Sequence, residues 1–468
     1  MFEKVIQYFK EICSIPHGSG NTEKLCDFCE GFAVSHNLSY KRDSAGNIVI
    51  FKDGTKGYEK SPSVILQGHL DMVCVKEEGC DINFLTDGLR LIEEGDYIFA
   101  DGTSLGGDDG IAIAYALAVL DSTAISHPPL EVVFTTDEET GMEGAKALDL
   151  SSLSSEMLIN IDSENEGTIL VSCAGGIRAD VRFDGNLINE NQKALSVFLS
   201  GLTGGHSGTE IHKNRLNAIC ELAKLLSVSG NFSLSSFSGG SADNAIPSFA
   251  KATVIPENEE LFLKELSRNY ETLKEKALHT DPLISLEFTE CEASSFFAPS
   301  VSKKIAEAAA TVFNGVIAFS ENIDGLVETS LNLGTAKTEN GSVSFCHALR
   351  SSVTEEKEKL CEKLKKHYEA FGFSCNFHSD YPAWEYKENS RLQSVFKKSY
   401  KDLTGNDLKI SAIHAGLECG LFTSKRPDLD CISFGPNMKD IHSVKEKLSI
   451  SSSKRTFELL IKVLERLT

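Results

Sequence analysis

The sequence predicts an α/β protein, a central sheet flanked by helices, with a second α+β domain inserted into it. Three observations carry this. Short runs of continuous apolar character alternate with helical patterns up to about residue 180. The texture then changes to strands in which polar and apolar residues alternate. Near the end of the chain the buried-strand texture returns. Continuous apolar strands belong to a sheet covered on both faces, and alternating ones to a sheet with one wet face.

In chain order, the apolar spacing predicts helices over 2–12 and 22–32, with Ile15-Pro16-His17-Gly18-Ser19-Gly20 as the turn between them. Strands follow at 47–51, 63–67, 130–135 and 157–161, and the alanine-rich apolar run 110–120 is a buried helix between the middle pair. Beyond residue 182 the alternating strand 194–199 and the helices 217–226 and 259–276 indicate one more exposed α+β domain or two small units in tandem. Strand 430–435 and the amphipathic helix 453–467 return to the first domain. The expected division is 1–182 for the first catalytic segment, 183–385 for the insertion and 386–468 for the second catalytic segment.

A chain of 468 residues, 41% apolar and 24% charged, has ordinary globular composition and suits two or three domains. Its 46 basic and 68 acidic residues give a net charge of −22, with no local basic block, which argues against nucleic acid and anionic membranes as partners. The longest apolar run, 111–120, is about half a membrane span, and the first residues show no signal-peptide core. The 13 scattered cysteines fit reduced thiols in a cytoplasmic protein. Cys26 and Cys29 have CxxC spacing without a second pair, and read as packed thiols on one helix face.

Four motifs stand at or just past the carboxyl ends of predicted strands, where open α/β sheets place their sites. They are Gln67-Gly68-His69-Leu70-Asp71, Leu105-Gly106-Gly107-Asp108-Asp109-Gly110, Thr136-Asp137-Glu138-Glu139-Thr140-Gly141 and Asn160-Ile161-Asp162-Ser163. Each alone has a bland reading as a helix cap, a solvated loop charge or a turn. Together they place several carboxylates in one region, which repel unless cations neutralise them. Imidazole and carboxylate donors suit zinc, with manganese or cobalt as substitutes. Three carboxylates and two histidines around two divalent cations leave one positive charge, an arithmetic that favours a two-metal hydrolytic site. Such a site needs a second histidine, and His442, just after strand 430–435, is the best placed of the 12.

These motifs, with 102–110, 136–144, 173–176, 204–208, 243–247, 414–420 and 441–443, resemble the Xaa-His dipeptidase branch of the co-catalytic zinc metallopeptidase family almost from end to end. The resemblance implies a zinc-peptidase-type catalytic domain with an inserted lid domain, and dipeptide hydrolysis of the Xaa-His type with broad specificity. It implies that His69 and Asp162 hold one zinc, that Glu139 and His442 hold the other, and that Asp108 bridges both. Asp71 would orient His69, and Glu138 would be the general base. Asp109 departs from the Asp-Asn pair frequent in this branch. In the insertion, His206 would stabilise the oxyanion, from the same chain or a partner subunit. Asn244 and Arg350 are candidates for the substrate's terminal carboxylate, a bidentate task that suits arginine, and Gly416 lies in the substrate-side loop 414–420. Cys419 in that loop has no evident base. The insertion is large enough for a lid and a subunit contact, so a homodimer through it and a monomer both stay open.

Three alternatives carry their own signatures. A deacylase or tripeptidase on the same site would differ in substrate profile. A non-catalytic peptide- or metal-binding protein would lack a ligand or the base. Thiol–disulfide exchange at Cys26 and Cys29 would survive chelation.

Overall fold

The computed structural model describes residues 1–467, which divide into two compact units. The first comprises Met1–Ser172, Tyr386–Ala412 and the chain from Leu417 onward. The second comprises Cys173–Glu385 and the short segment Ile413–Gly416. The expected boundary at 182 falls inside the strand Gly175–Asp184, which pairs along its length with Ser342–Ser351 of the second unit.

The first unit is built on an eight-stranded mixed sheet. At its centre Val64–His69 runs parallel to Leu130–Thr135 on one side and to Met157–Asn160 on the other. Asp430–Ser433 then lies parallel to Met157–Asn160, while Ile48–Lys52 and Ser39–Arg42 extend the opposite edge antiparallel. The register sets His69 level with Thr135, so the chain leaves neighbouring parallel strands at one end of the sheet. Burial on both faces explains the unbroken apolar runs: every residue of Val64–His69 and of Leu130–Thr135 is buried.

Gly107–Asp121 is the expected apolar helix, buried along all but its last residue. The opening helix Phe2–Cys13 packs on it, and Tyr115 stacks on Phe457 of the closing helix Ile450–Leu464. That last helix begins three residues before the expected start because the Ser449 hydroxyl accepts the Ser452 N–H and caps it there. A small antiparallel sheet, unforeseen because its strands are only two to four residues long, joins Leu91–Glu94, Tyr97–Ala100, Lys447–Ser449 and Met438–Lys439. It fixes the turn 440–446 relative to the residues that precede the buried helix.

The second unit is one continuous nine-stranded antiparallel sheet with the helices Ala218–Ser227, Glu259–Ala277, Pro299–Thr311 and Thr354–Ala370, not two units in tandem. Strand Leu187–Ser200 is flanked by Ser285–Phe297 and Ala250–Pro256, which is why its apolar residues alternate. Cys26 and Cys29 are buried free thiols in the helix Glu23–Ser35. No helix among the described residues is long and apolar enough to cross a membrane.

Candidate active site

Seven of the residues singled out in the sequence gather at the carboxyl ends of the central parallel strands of the first unit. His69 ends its strand, Glu138 and Glu139 follow Leu130–Thr135, and Asp162 follows Met157–Asn160. Gly68 must lack a side chain, since a Cβ there would lie 2.6 Å from Ala112 Cβ and 2.7 Å from Asp109 Oδ2. The short sheet at 438–449 then brings His442 to Asp108 from the far end of the chain.

The geometry centres on Asp108. Its Oδ1 lies 3.1 Å from His69 Nε2 and its Oδ2 lies 3.2 Å from His442 Nε2. Three groups, His69 with Asp108 and Asp162, His69 with Glu138 and Glu139, and Asp108 with Glu139 and His442, each place their nitrogen and oxygen donors within 4.8 Å of one another. His442 Nε2 approaches Glu139 Oε1 to 2.8 Å, yet that buried oxygen has no hydrogen-bond partner. Two donor atoms this close without a hydrogen bond between them suit a shared cation, and oxygen and imidazole donors suit a divalent metal. A metal group therefore fits these residues.

Asp109 plays a different part from its neighbour, to which a cis peptide joins it. Its Oδ2 accepts the backbone N–H of His69 at 3.1 Å, so the carboxyl serves the strand end while Asp108 faces both imidazoles. The Asp71 carboxylate accepts the backbone N–H groups of Glu138 at 2.9 Å and Glu139 at 3.2 Å and the Ser19 hydroxyl at 2.7 Å. His69 Nδ1 bonds the Asp71 carbonyl oxygen at 2.9 Å, with the Asp71 carboxylate 3.5 Å away. Asp71 thus holds both the imidazole and the carboxylate turn that faces it.

The electrostatics reflect crowding of like charges. Burial, with Glu418, Glu139 and Asp108 nearby, pushes the Glu138 carboxyl up to about 8. Burial, Asp108 and Asp109 raise Asp162 well above the carboxylate range. Burial also acts against the charged form of Asp108, but hydrogen bonds from His442 and His69 outweigh it and hold Asp108 low. The Asp108 and Glu139 carboxylates beside it push His442 up to about 10. The acids outnumber the bases, a balance that suits a bound cation.

Residues 65–466 match Peptidase family M20/M25/M40 over most of the chain. The chain belongs to this family. It is 36% identical to the cytosol non-specific dipeptidase of Escherichia coli K12, over 98% of this chain and 96% of that one. Among solved structures, the aminoacylhistidine dipeptidase of Vibrio alginolyticus superposes with a TM-score of 0.91 at 35% identity, covering 99% of this chain and 96% of that one. A Staphylococcus aureus tripeptidase shares the fold alone, with a TM-score of 0.59 at 16% identity over 100% of this chain and 98% of its own. M20 peptidases are metal-dependent, and the cluster around Asp108 is this chain's candidate metal-binding site.

The remaining expected residues of this M20 chain lie in the second unit. His206 sits on the short strand Gly205–His206, opposite Ala245, so Asn244 is beside it and its carbonyl accepts the Ser207 N–H at 2.8 Å. The His206 Nδ1 accepts the N–H groups of Gly208 at 3.2 Å and Thr209 at 3.1 Å. Those bonds put the ring proton on Nε2, and burial with the nearby Arg350 keeps the imidazole neutral. Arg350 is buried; it donates to Tyr381 Oη at 2.7 Å, and its Nε has no partner. Gly416 belongs to the four-residue segment Ile413–Gly416 that joins this unit.

Sequence reasoning missed several supporting groups. Glu418 is fully buried and accepts from Gln67 Nε2 and from Thr135 Oγ1 at 2.7 Å; burial pushes its carboxyl up to about 7. Ser19 bonds Asp71 from what read only as a turn. Arg178, whose Nε donates to Asp243, was not singled out at all. Glu446 was also passed over, since its partners are the backbone N–H groups of residues 105–108, which no spacing in the sequence encodes.

Proposed function

We propose that this protein is a cytoplasmic di-zinc dipeptidase that cleaves Xaa-His and a broad range of other dipeptides. One observation carries the proposal: the Asp108 carboxylate stands between two imidazoles, at 3.1 and 3.2 Å, with further carboxylates on either side. The likeness to the Escherichia coli cytosol non-specific dipeptidase and the Vibrio alginolyticus aminoacylhistidine dipeptidase supports the substrate class.

In this reading His69 and Asp162 would hold one ion, Glu139 and His442 the other, and Asp108 both. Zinc, or manganese or cobalt in its place, would supply Lewis acidity and lower the pKa of water. Glu138 takes a proton from the attacking water as oxygen adds to the scissile carbonyl, and hands it to the nitrogen of the leaving amine. His206, neutral with its proton on Nε2, donates to the developing oxyanion without first losing a charge. Arg350, with an unpartnered Nε, and Asn244 receive the terminal carboxylate of the substrate, and Gly416 lines the loop beside it. The same proposal assigns the inserted segment as a lid over a short peptide and as the contact of a homodimer.

The test is metal analysis of purified protein together with hydrolysis of β-alanyl-histidine, other dipeptides, tripeptides and N-acylated dipeptides. The reading requires two divalent ions per chain and cleavage of free dipeptides. Preferential cleavage of N-acylated substrates or tripeptides would overturn it.

A further inference from the structure

Glu446 is a buried carboxylate, 3% exposed, that faces backbone donors and no cation of the protein. Its Oε2 accepts the N–H groups of Leu105 at 2.8 Å and Gly106 at 3.2 Å, and its Oε1 accepts those of Gly107 at 2.8 Å and Asp108 at 3.4 Å. Four consecutive N–H groups at the opening of a helix have no partners within that helix, and they converge where the dipole favours an anion. Two carboxylate oxygens satisfy all four; an amide would aim its own NH2 at half of them.

The chain on the other side of the clamp carries His442. Glu446 N–H donates back to Ser443 O at 3.2 Å, closing the turn, and Ser443 Oγ bonds Asp440 O at 2.6 Å. Asp440 and His442 both have left-handed backbone, with φ of 52° and 59°, a conformation that non-glycine residues keep only where their surroundings impose it. Gly106 is also left-handed, with φ of 67°, and a Cβ there would lie 2.8 Å from Met72 Sδ. Both turns are thus irregular, and besides the His442–Asp108 contact itself Glu446 links them through four hydrogen bonds.

We propose that Glu446 is a positioning residue: its carboxylate locks the 105–108 turn to the 440–446 turn and so sets Asp108 at the reach of His442. It touches neither substrate nor metal and acts through the placement of two side chains drawn from positions more than 330 residues apart. The inference rests on the reading of Asp108 and His442 as metal ligands.

The test compares wild type with Glu446→Gln, Glu446→Asp and Gly107→Ala. Gly107→Ala keeps every hydrogen-bonding group but places a methyl 3.2 Å from Glu446 Oε1, so the carboxylate must shift. Zn2+ is titrated into the metal-free proteins by calorimetry at a temperature where circular dichroism shows each folded, and kcat and KM are measured on one dipeptide. For Glu446→Gln, Zn2+ affinity and kcat should each fall about ten- to hundredfold, the range for groups that orient ligands, while KM stays within about threefold. Glu446→Asp, one methylene short, should fall between. A folded Glu446→Gln protein with wild-type Zn2+ affinity and kcat overturns the proposal. Should Glu446→Gln not fold, Gly107→Ala decides: a loss of Zn2+ affinity beyond about threefold supports the clamp, and unchanged affinity overturns it. Wild-type protein that binds no Zn2+ would overturn the metal reading itself, and this inference with it.

Discussion

Glu138 and His206 are the two side chains whose protons the proposed reaction uses, and each makes a prediction. Glu138→Gln removes the proton acceptor with little change in shape. Turnover should fall by about 10³-fold while bound metal is retained, which kcat alongside metal analysis will show. Near-normal turnover with metal bound would remove Glu138 from its role. His206→Ala should lower kcat about 10²- to 10³-fold, the usual effect of deleting an oxyanion donor, with unchanged metal content. Because its Nδ1 accepts two backbone N–H groups, His206→Asn, too short to hold those bonds and still reach outward, should not rescue it.

Legibility at this scale followed a simple rule. His69, Asp108, Glu138, Glu139, Asp162 and His442 were legible as one cluster because several such motifs occur together past successive strand ends, although each alone has a bland reading. Asp71 was readable as a supporter, though its grip on the Glu138 and Glu139 backbone was not. Glu446 and Glu418 were invisible because their partners are backbone N–H groups or neutral side chains hundreds of residues away, and no spacing encodes such contacts.

Among the elements, the strand Ser342–Ser351 carries a buried titration. His347 is fully buried; it bonds the Tyr368 hydroxyl at 2.8 Å through Nε2, and burial, reinforced by His367, lowers it to about 3. Its folded value lies below the unfolded value of about 6.5, so between these pH values the unfolded chain binds the extra proton. The stability contribution is therefore whole above about 6.5 and is lost as pH falls, by up to about 1.4 kcal/mol per pH unit for this group. Urea unfolding at pH 7, 6 and 5 should show that decline, and His347→Gln, which cannot titrate, should flatten it. The long elements were readable because caps and apolar spacing agree: Asn217 accepts the N–H groups of Ile219 and Cys220, and Asn258 accepts that of Leu261, each starting its helix within a residue of expectation. The two- to four-residue strands at 91–100 and 438–449 were not, since such lengths carry no period and exist only through their partners.

For the whole molecule, the excess of acid at one end of the central sheet ties stability to bound metal. Chelation should abolish hydrolysis and lower the melting temperature; restoring Zn2+ should reverse both. A ligand at a thousand times its dissociation constant adds about 4 kcal/mol, so the shift should be several degrees. A melting temperature indifferent to chelator would contradict the fit of a metal to Asp108 and its neighbours. The α/β class and the insertion were legible from changes in texture along the chain. The extent of the second unit was less so, because Gly175–Asp184 shares the apolar start of its predecessors and joins the other sheet only through pairing with Ser342–Ser351 and Ser374–Tyr381.

The order of strands has a consequence for biosynthesis. Asp430–Ser433 lies in the sheet between Met157–Asn160 and Thr168–Cys173, though more than 250 residues separate it from both. Until residues 430–442 have been made, the first segment lacks the strand that separates Met157–Asn160 from Thr168–Cys173, and Asp108 lacks the imidazole of His442. A chain that stops before residue 430 therefore has neither this strand of the central sheet nor the imidazole that stands beside Asp108.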